Sequence, residues 1–315
     1  MDTDSLKILG HLGRIGYSED GKPRLKYRAI DPADRYVHCS CGKPDCWTEQ
    51  IVPLREHMVA LFRAIVVCDF EGQFGIRGQA EETWPGVIYA LQMAASVEDV
   101  FADPSHVDDS EAGLWCSAAW EHDEEDREAA SKYAAALIIF NFVWNAYEAA
   151  TEISAGTLFS VDKVPVRARQ LFKAEPGLTS DVWAFDISYR VARHICSKLP
   201  ALKESVDSIE KKYCLSGASA AAELGRVFRN YIAHGADKMP IGDSRAACSR
   251  FYSVTRMLLL LIQLLILRRI QDPAQPVPLS VNQDRGSQRA GLLLRNLHRH
   301  EALWLEQGLM PAVED

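Results

Sequence analysis

The sequence predicts a mainly α-helical protein in which a bundle of about five helices follows a smaller α/β N-terminal module. Over residues 122–271, apolar residues recur at helical spacing in long segments that short Pro, Ser or Gly stretches separate. Residues 1–110 differ, because turn signals and short β-like segments accompany only weak helical periodicity there. The 315 residues, of which 48% are apolar, suffice for at least one full-sized core.

The N-terminal module is predicted to begin with a β-hairpin and to end in a polar loop. The segments LKILGHLGRIGY and RLKYRAID flank SEDGKP, whose Asp-Gly pair is typical of a hairpin turn. From residue 54 to 101 the pattern is mixed, and it predicts a helix around 85–97. The loop ADPSHVDDSEAG is the predicted boundary between the two parts of the chain. The role of the N-terminal module stays open.

The bundle is predicted to begin with a long Ala-rich helix over residues 121–153, whose acidic start suits the N-terminal end of a helix dipole. Residues 157–180 contain two prolines and a glycine, and they are predicted to form a long connection without a helix. Four more helices are predicted over 181–199, 201–214, 218–234 and 244–271. The C-terminal tail, 272–315, is predicted to add a helix near 292–306.

Composition and charge exclude several classes of protein. A formal net charge of −8 is the opposite of the positive balance of a nonspecific nucleic-acid binder, so contact with RNA requires a local basic patch. The sequence shows no N-terminal basic segment followed by an apolar stretch, so secretion is not expected. The most apolar run, residues 257–267, is too short to span a bilayer and contains Gln263. We therefore expect a cytoplasmic protein, without membrane contact, whose cysteines are mainly thiols.

Three cysteines and a histidine cluster in the segment HCSCGKPDCW. The candidate zinc ligands are His38, Cys39, Cys41 and Cys46. Because the C-x-C-x4-C spacing differs from two paired C-x2-C knuckles, a structural zinc and a cluster of reduced thiols in a tight turn both stay open. A zinc-dependent regulatory protein is a further interpretation that rests on this cluster. The sequence contains no HExxH pattern, so a catalytic zinc is not expected.

The stretch RNYIAHG, at 229–235, places polar residues beside the apolar face of a predicted helix. That apolar face comprises Leu224, Val227, Phe228, Tyr231 and Ile232. Arg226, Asn230 and His234 recur at every fourth position along one flank of this face, and Arg229 lies on the other flank. Packing does not require these polar groups, so they are candidates for function. The alternative without function is a helix C-cap in which His234 and Arg229 bond terminal carbonyls and a surface acid.

The residue types in this stretch suit RNA cleavage without a metal. His234 precedes Gly235, the residue expected just past a helix end, and an imidazole can accept and return a proton near neutral pH. The fork-shaped Arg229 guanidinium suits a phosphate and the additional charge of five-coordinate phosphorus. Asn230 would orient the histidine or a phosphate oxygen. The set predicts attack of a ribose 2′-hydroxyl on the adjacent phosphorus, and DNA lacks this nucleophile.

Arg229, Asn230 and His234 resemble the R-x4-6-H motif, in its common RN-x3-H form, of the HEPN superfamily (higher eukaryotes and prokaryotes nucleotide-binding). The resemblance covers roughly residues 122–271, with a long helix containing FNFVWNAYEAA before the motif helix and a long apolar helix after it. It implies an HEPN-like helical bundle. Many members are endoribonucleases of toxin–antitoxin, CRISPR or phage-defence systems, so a toxin or phage-defence effector that acts on RNA is expected.

The resemblance also implies roles for individual residues. Arg229 and His234 would form the catalytic pair with Asn230 beside them, and two such sets, one per protomer, would meet at a homodimer interface. Glu148 resembles the acidic residue that some families place opposite the motif, and Arg226 is a second supporting candidate. No cofactor is expected for catalysis.

Two expectations about partners accompany these roles. An antitoxin or regulatory protein is a candidate partner, although Ala236 stands where toxins paired with a nucleotidyltransferase antitoxin often have tyrosine. The alternative to an enzyme is a catalytically inactive HEPN module that binds RNA or a protein partner.

Overall fold

A computed structural model describes residues 14–17, 23–26, 50–98, 100–107, 115–160, 163–211, 214–235, 237, 245–283 and 285–300. These residues are mainly helical, which confirms the predicted α class. The helices are α1 Leu54–Phe70, α2 Ala80–Thr83, α3 Val87–Ser96, α4 Ser117–Ala155, α5 Val164–Ala174, α6 Phe185–Ser197, α7 Pro200–Lys211, α8 Gly217–Ala233, α9 Arg245–Arg269 and α10 Ala290–Asn296. The strands β1 Arg14–Tyr17, β2 Pro23–Lys26, β3 Pro276–Pro278 and β4 Ser287–Arg289 form two antiparallel pairs.

The predicted N-terminal hairpin is present. Strands β1 and β2 pair antiparallel, with Arg14 opposite Lys26 and Tyr17 opposite Pro23. The helix predicted before the polar loop is confirmed as α3, whereas most of the mixed-pattern segment before it forms the regular helix α1. Apolar residues of α1 and α3 belong to the same hydrophobic core as those of α4 and α9. The division of the chain into an N-terminal module and a bundle stays a prediction.

Helix α9 lies at the centre of the core and packs most extensively against α4. It also contacts α1, α6, α8 and α10. Its segment Cys248–Arg269 is long and apolar enough to cross a membrane by length and composition, with a mean hydropathy of 1.6. However, 94% of this apolar window is buried inside the protein, as in the core helix of a soluble protein. The surrounding helices therefore account for its apolar surface.

The five main helices predicted for the bundle are all present, and their ends lie within four residues of the expected positions. Ends are the least predictable part of a helix because capping decides them. The predicted tail helix corresponds to α10, but α10 ends at Asn296 instead of near residue 306. The reason is that the following residues leave helical geometry to pair with an earlier segment, with the Val52 amide donating to the His298 carbonyl at 3.0 Å. Residues 301–315 lie outside the described residues.

The prediction of a helix-free connection over residues 157–180 is wrong, because α5 forms there. Pro165 lies in the first turn of α5, where an amide hydrogen has no intrahelical partner and a proline is therefore tolerated. Ala168, Leu171 and Phe172 form the buried face of the helix. Pro176 follows the helix end and belongs to a 3-10 turn over Pro176–Asp181. Of the two prolines, one starts the helix and the other follows it.

A chain of buried polar side chains links α9 to α1 and to the C-terminal segment. Arg256 donates to His57 Nδ1 at 2.8 Å, and His57 Nε2 lies 3.0 Å from the Gln263 side-chain oxygen. The Gln263 amide lies 3.1 Å from His298 Nδ1, and His298 Nε2 lies 2.8 Å from the Trp183 carbonyl. These partners are all satisfied when both imidazoles are neutral and protonated on Nε2. Burial, as the main cause, lowers the pKa of His57 and lowers that of His298 to about 3.

This network predicts a loss of stability in mild acid. Because the folded-state pKa of each histidine is depressed, the unfolded chain binds more protons once the pH falls below about 6.5. Each histidine then lowers the free energy of unfolding by about 1.4 kcal/mol per pH unit, an effect that is absent above that pH. Urea unfolding between pH 7.5 and pH 5, with linear extrapolation to zero urea, measures how the free energy of unfolding changes with pH. The slope should fall by about half in His298→Gln, whose amide can still donate and accept; an unchanged slope contradicts the assignment.

Candidate functional site

Helix α8 carries the RNYIAHG stretch, and local sequence explains where it lies. Ser216 closes a capping box at the helix start, which satisfies amide groups that the first turn leaves open. The helix then buries an Ala-rich face together with Leu224 and Phe228. A Cβ on Gly225 would lie 3.0 Å from the Leu258 side chain of α9. The missing side chain therefore allows α8 and α9 to approach closely.

The end of α8 agrees with the predicted geometry. His234 caps the helix, and its amide donates to the Asn230 carbonyl at 3.0 Å. Gly235 follows with a φ of +65°, the left-handed conformation that glycine adopts without strain. In the predicted apolar face, Leu224 and Phe228 are fully buried, while Tyr231 is partly buried against the core.

A cavity of about 630 Å³ lies between α4, the start of α5 and α8, and we call it the motif cavity. Its lining residues are Trp144, Glu148, Ala149, Glu152, Lys163, Val164, Pro165, Val166, Arg226, Arg229 and Asn230. Arg229 is exposed and Asn230 is half-buried, so both are accessible to a ligand that enters the cavity. Four of the five site residues predicted from the sequence therefore line one cavity, although they come from two helices.

Glu148 and Arg229 interact electrostatically in the motif cavity. Burial raises the pKa of the half-buried Glu148 carboxyl, and the Arg229 charge opposes that rise. The buried Trp144 indole N–H also favours the charged carboxylate, although it forms no hydrogen bond of regular geometry. Glu152 raises the Glu148 pKa further. Glu148 is therefore a carboxylate that holds a proton more readily than an exposed glutamate does.

Arg226 is held by an ion pair within α8. Its guanidinium donates to the Glu223 carboxylate at 2.6 and 3.1 Å, and Arg169 of α5 donates to the same group at 3.0 Å. The Glu223 side chain is only 1% exposed, so the two guanidinium groups offset the free energy of burying a carboxylate. Arg226 therefore stabilises the contact between α8 and α5 and is less free than Arg229 to bind an anion.

Sequence reasoning missed four charged residues at or directly behind the motif cavity, namely Glu152, Lys163, Arg169 and Glu223. Helical spacing relates Glu152 to Glu148 and Glu223 to Arg226, so these two could have been found from the sequence. Lys163 and Arg169 could not, because they depend on α5, which was predicted as an irregular connection.

His234 lies apart from the motif cavity. It is exposed at the C-terminal end of α8, one helical turn beyond Asn230, and the described residues that line the cavity do not include it. The fold of one chain therefore places Arg229 and Asn230 with Glu148, and leaves the imidazole of His234 at the surface nearby.

The cluster formed by His38, Cys39, Cys41 and Cys46 lies outside the described residues. Within the described parts of the chain, no group of three or more His, Cys, Asp or Glu side chains could hold a metal ion. Of the cysteines described, Cys68, Cys196 and Cys248 are buried, and burial raises the pKa of the first two thiols to about 12. These two side chains are therefore unreactive members of the core.

Comparison with protein-family models, with curated proteins and with solved structures gave no match. Function is therefore inferred from the chemistry of the motif cavity and from the resemblance of the motif.

Proposed function

We propose that this protein is a metal-independent endoribonuclease of the HEPN type, a cytoplasmic toxin or phage-defence effector that acts on RNA as a homodimer. The observation that supports this most is that Arg229 and Asn230 of the motif line one cavity with Glu148. A guanidinium and an amide at one cavity can bind a phosphate and orient it, and the His234 imidazole of the same motif can exchange a proton. RNA transesterification requires these same tasks.

In the proposed reaction, the ribose 2′-oxygen attacks the adjacent phosphorus. A base removes the 2′-proton, the new P–O bond forms, and the bond to the 5′-oxygen breaks as an acid protonates that oxygen. The products are a 2′,3′-cyclic phosphate and a 5′-hydroxyl. Arg229 binds the nonbridging oxygens and stabilises their growing charge, Asn230 orients them, and His234 transfers the proton.

The surface position of His234 makes a second protomer part of this proposal. A two-fold dimer that brings the end of α8 in one protomer beside the motif cavity of the other would place His234 within reach of a phosphate bound at Arg229. A mixed dimer of Arg229→Ala and His234→Ala protomers is then expected to regain activity that neither pure variant shows. Failure of the mixture to regain activity contradicts the composite site.

The proposed activity is tested with purified protein, EDTA, and RNA or DNA of the same base sequence. We expect cleavage of the RNA with 2′,3′-cyclic phosphate ends, no cleavage of the DNA, and loss of cleavage in His234→Ala. Inductively coupled plasma mass spectrometry of the protein shows whether zinc is bound outside the motif cavity. RNA that stays intact between about pH 6 and pH 9, the range in which an imidazole can transfer protons, contradicts the proposal.

A module that binds RNA without cleaving it is the second candidate. The presence of Lys163 beside Arg229 in the cavity lining favours this candidate, because two cations suffice to bind a phosphate without a proton-transfer group. Binding of RNA that weakens with salt, together with intact RNA and an intact dimer, would identify this function. Arg229→Ala would then weaken binding without any effect on RNA length.

Glu148→Gln is expected to tighten the binding of RNA. The substitution removes a negative charge that lies near Arg229 and would repel a phosphate. A charge pair that solvent partly screens is worth up to about 1 kcal/mol, so the dissociation constant should fall about two- to fivefold. Fluorescence anisotropy with uncleavable 2′-O-methyl RNA measures the change. Binding by the wild type should tighten as the pH falls through the raised Glu148 pKa, and binding by Glu148→Gln should lack that dependence.

A further inference from the structure

The carboxylate of Asp237 lies at the junction of three helices. It accepts hydrogen bonds from Tyr133 of α4 at 2.9 Å and from Tyr231 of α8 at 2.8 Å. Arg250 of α9 forms an ion pair with the same carboxylate. The Asp237 side chain is 3% exposed. A buried carboxylate with three donors from three helices is a rigid connection rather than a surface contact.

The hydroxyl groups of both tyrosines are dependable donors to Asp237. Burial, followed by the effect of Asp237 itself, raises the pKa of Tyr231 to about 12 and also raises that of Tyr133. Both hydroxyl groups therefore keep their protons throughout the neutral pH range. Tyr231 lies within the RNYIAHG stretch, so the motif helix is itself one of the elements that Asp237 connects.

Asp237 limits the position of His234 because the chain between them is short. Only two residues separate them, and Gly235, the first of these, has a left-handed φ of +65°. Three residue steps span at most about 11 Å. The His234 backbone is therefore held on one side by its hydrogen bond to the Asn230 carbonyl and on the other side by the buried carboxylate. The backbone that carries the exposed His234 imidazole is therefore fixed on both sides.

We propose that Asp237 is a positioning residue that fixes the His234 end of α8 through Tyr133, Tyr231 and Arg250. This inference rests on the proposed function of His234 as the proton-transfer group. Small displacements of a reacting group lower rates strongly, by about 100-fold for 1 Å. Loss of the carboxylate should therefore affect the chemical step more than the binding of RNA.

The kinetic test compares Asp237→Asn with Asp69→Asn. Asp69 is a matched control, because it is also buried, and it accepts hydrogen bonds from the Gln79 amide and the Thr83 hydroxyl. We expect Asp237→Asn to lower kcat for RNA cleavage about 10- to 100-fold while KM stays within about twofold. Asp69→Asn should keep its kcat at a comparable loss of thermal stability. An equal loss of kcat in both variants, or an unchanged kcat in Asp237→Asn, overturns the proposal.

A milder variant and a measurement without RNA make the test independent of the fold and of the proposed activity. Tyr133→Phe removes one donor and leaves the ion pair, so it should lower kcat less than Asp237→Asn and in the same direction. Amide hydrogen exchange at His234 and Gly235 should accelerate at least about tenfold in Asp237→Asn, with exchange in the middle of α8 unchanged. Unchanged exchange at these two amides overturns the positioning role. If the wild type leaves RNA intact, the proposed function fails, and the exchange data still decide whether Asp237 holds this turn.

Discussion

Replacement of Arg229 by alanine is expected to lower the rate of RNA cleavage by about 100- to 1,000-fold, because removal of one donor that stabilises transition-state charge typically has this effect. Arg229 is exposed at the motif cavity, where its charge acts on the Glu148 carboxylate. The guanidinium is therefore available to a phosphate, in contrast to that of Arg226, which the buried Glu223 holds. Initial rates with a fluorogenic RNA measure the effect.

One further variant separates the shape of the Arg229 side chain from its charge, and a second variant at another arginine is the control. Arg229→Lys keeps the charge and loses the two-pronged geometry, so an intermediate rate is expected. Arg77→Ala removes an exposed arginine from the turn between α1 and α2 and should leave the rate unchanged. A rate for Arg229→Ala within about threefold of the wild type would rule out transition-state stabilisation by this residue, since the expected loss is far larger.

Gln263→Leu is expected to produce the largest loss of stability of any single substitution considered for this protein. Gln263 is fully buried in α9, where its amide donates to the Leu294 carbonyl at 2.5 Å and also lies against His57 and His298. Leucine fills a similar volume but leaves three buried polar groups without a partner. Since each such group costs about 1–3 kcal/mol, the free energy of unfolding should fall by about 3–5 kcal/mol.

Urea unfolding at pH 7.5 measures this change, and the same substitution elsewhere provides its control. Gln92→Leu places leucine on the exposed side of α3, where a change within about 0.5 kcal/mol is expected. A loss below about 1 kcal/mol for Gln263→Leu would mean that the histidines find other partners, and that the network does not hold α1 and the C-terminal segment on α9. The acid-dependent slope should also change in this variant, because both imidazoles lose a partner.

Sequence patterns predicted the helices well where helix formation is decided locally. The periodicity of α4 and α9 extends over many turns, and the end of α8 at His234 follows from a glycine at the next position. The same local rules fail at α5, where Pro165 predicts a break in the helix but lies in its first turn. Whether a proline interrupts or begins a helix depends on the apolar residues that follow it and on what they pack against.

The candidate site also contains some residues that the sequence predicts and others that only the structure shows. The polar residues of α8 form a pattern that is visible on one helix, and the resemblance alone predicts Glu148 opposite them. Lys163 and the first turn of α5, which form one wall of the motif cavity, had no signal in the sequence. Asp237 also had none, since an aspartate two residues past a helix-ending glycine is typical of a surface turn, and only its three donors distinguish it.

By itself, the sequence determined the helical class, the approximate positions of the long helices and the polar residues that end α8, because each of these depends on neighbours within a few turns of the chain. Only the tertiary structure decided that α4, α5 and α8 enclose a cavity, that Arg229 shares it with Glu148, and that His234 stays outside it. Contacts between residues far apart in the sequence depend on how helices pack, and packing follows from the combined shapes of many side chains rather than from any local pattern.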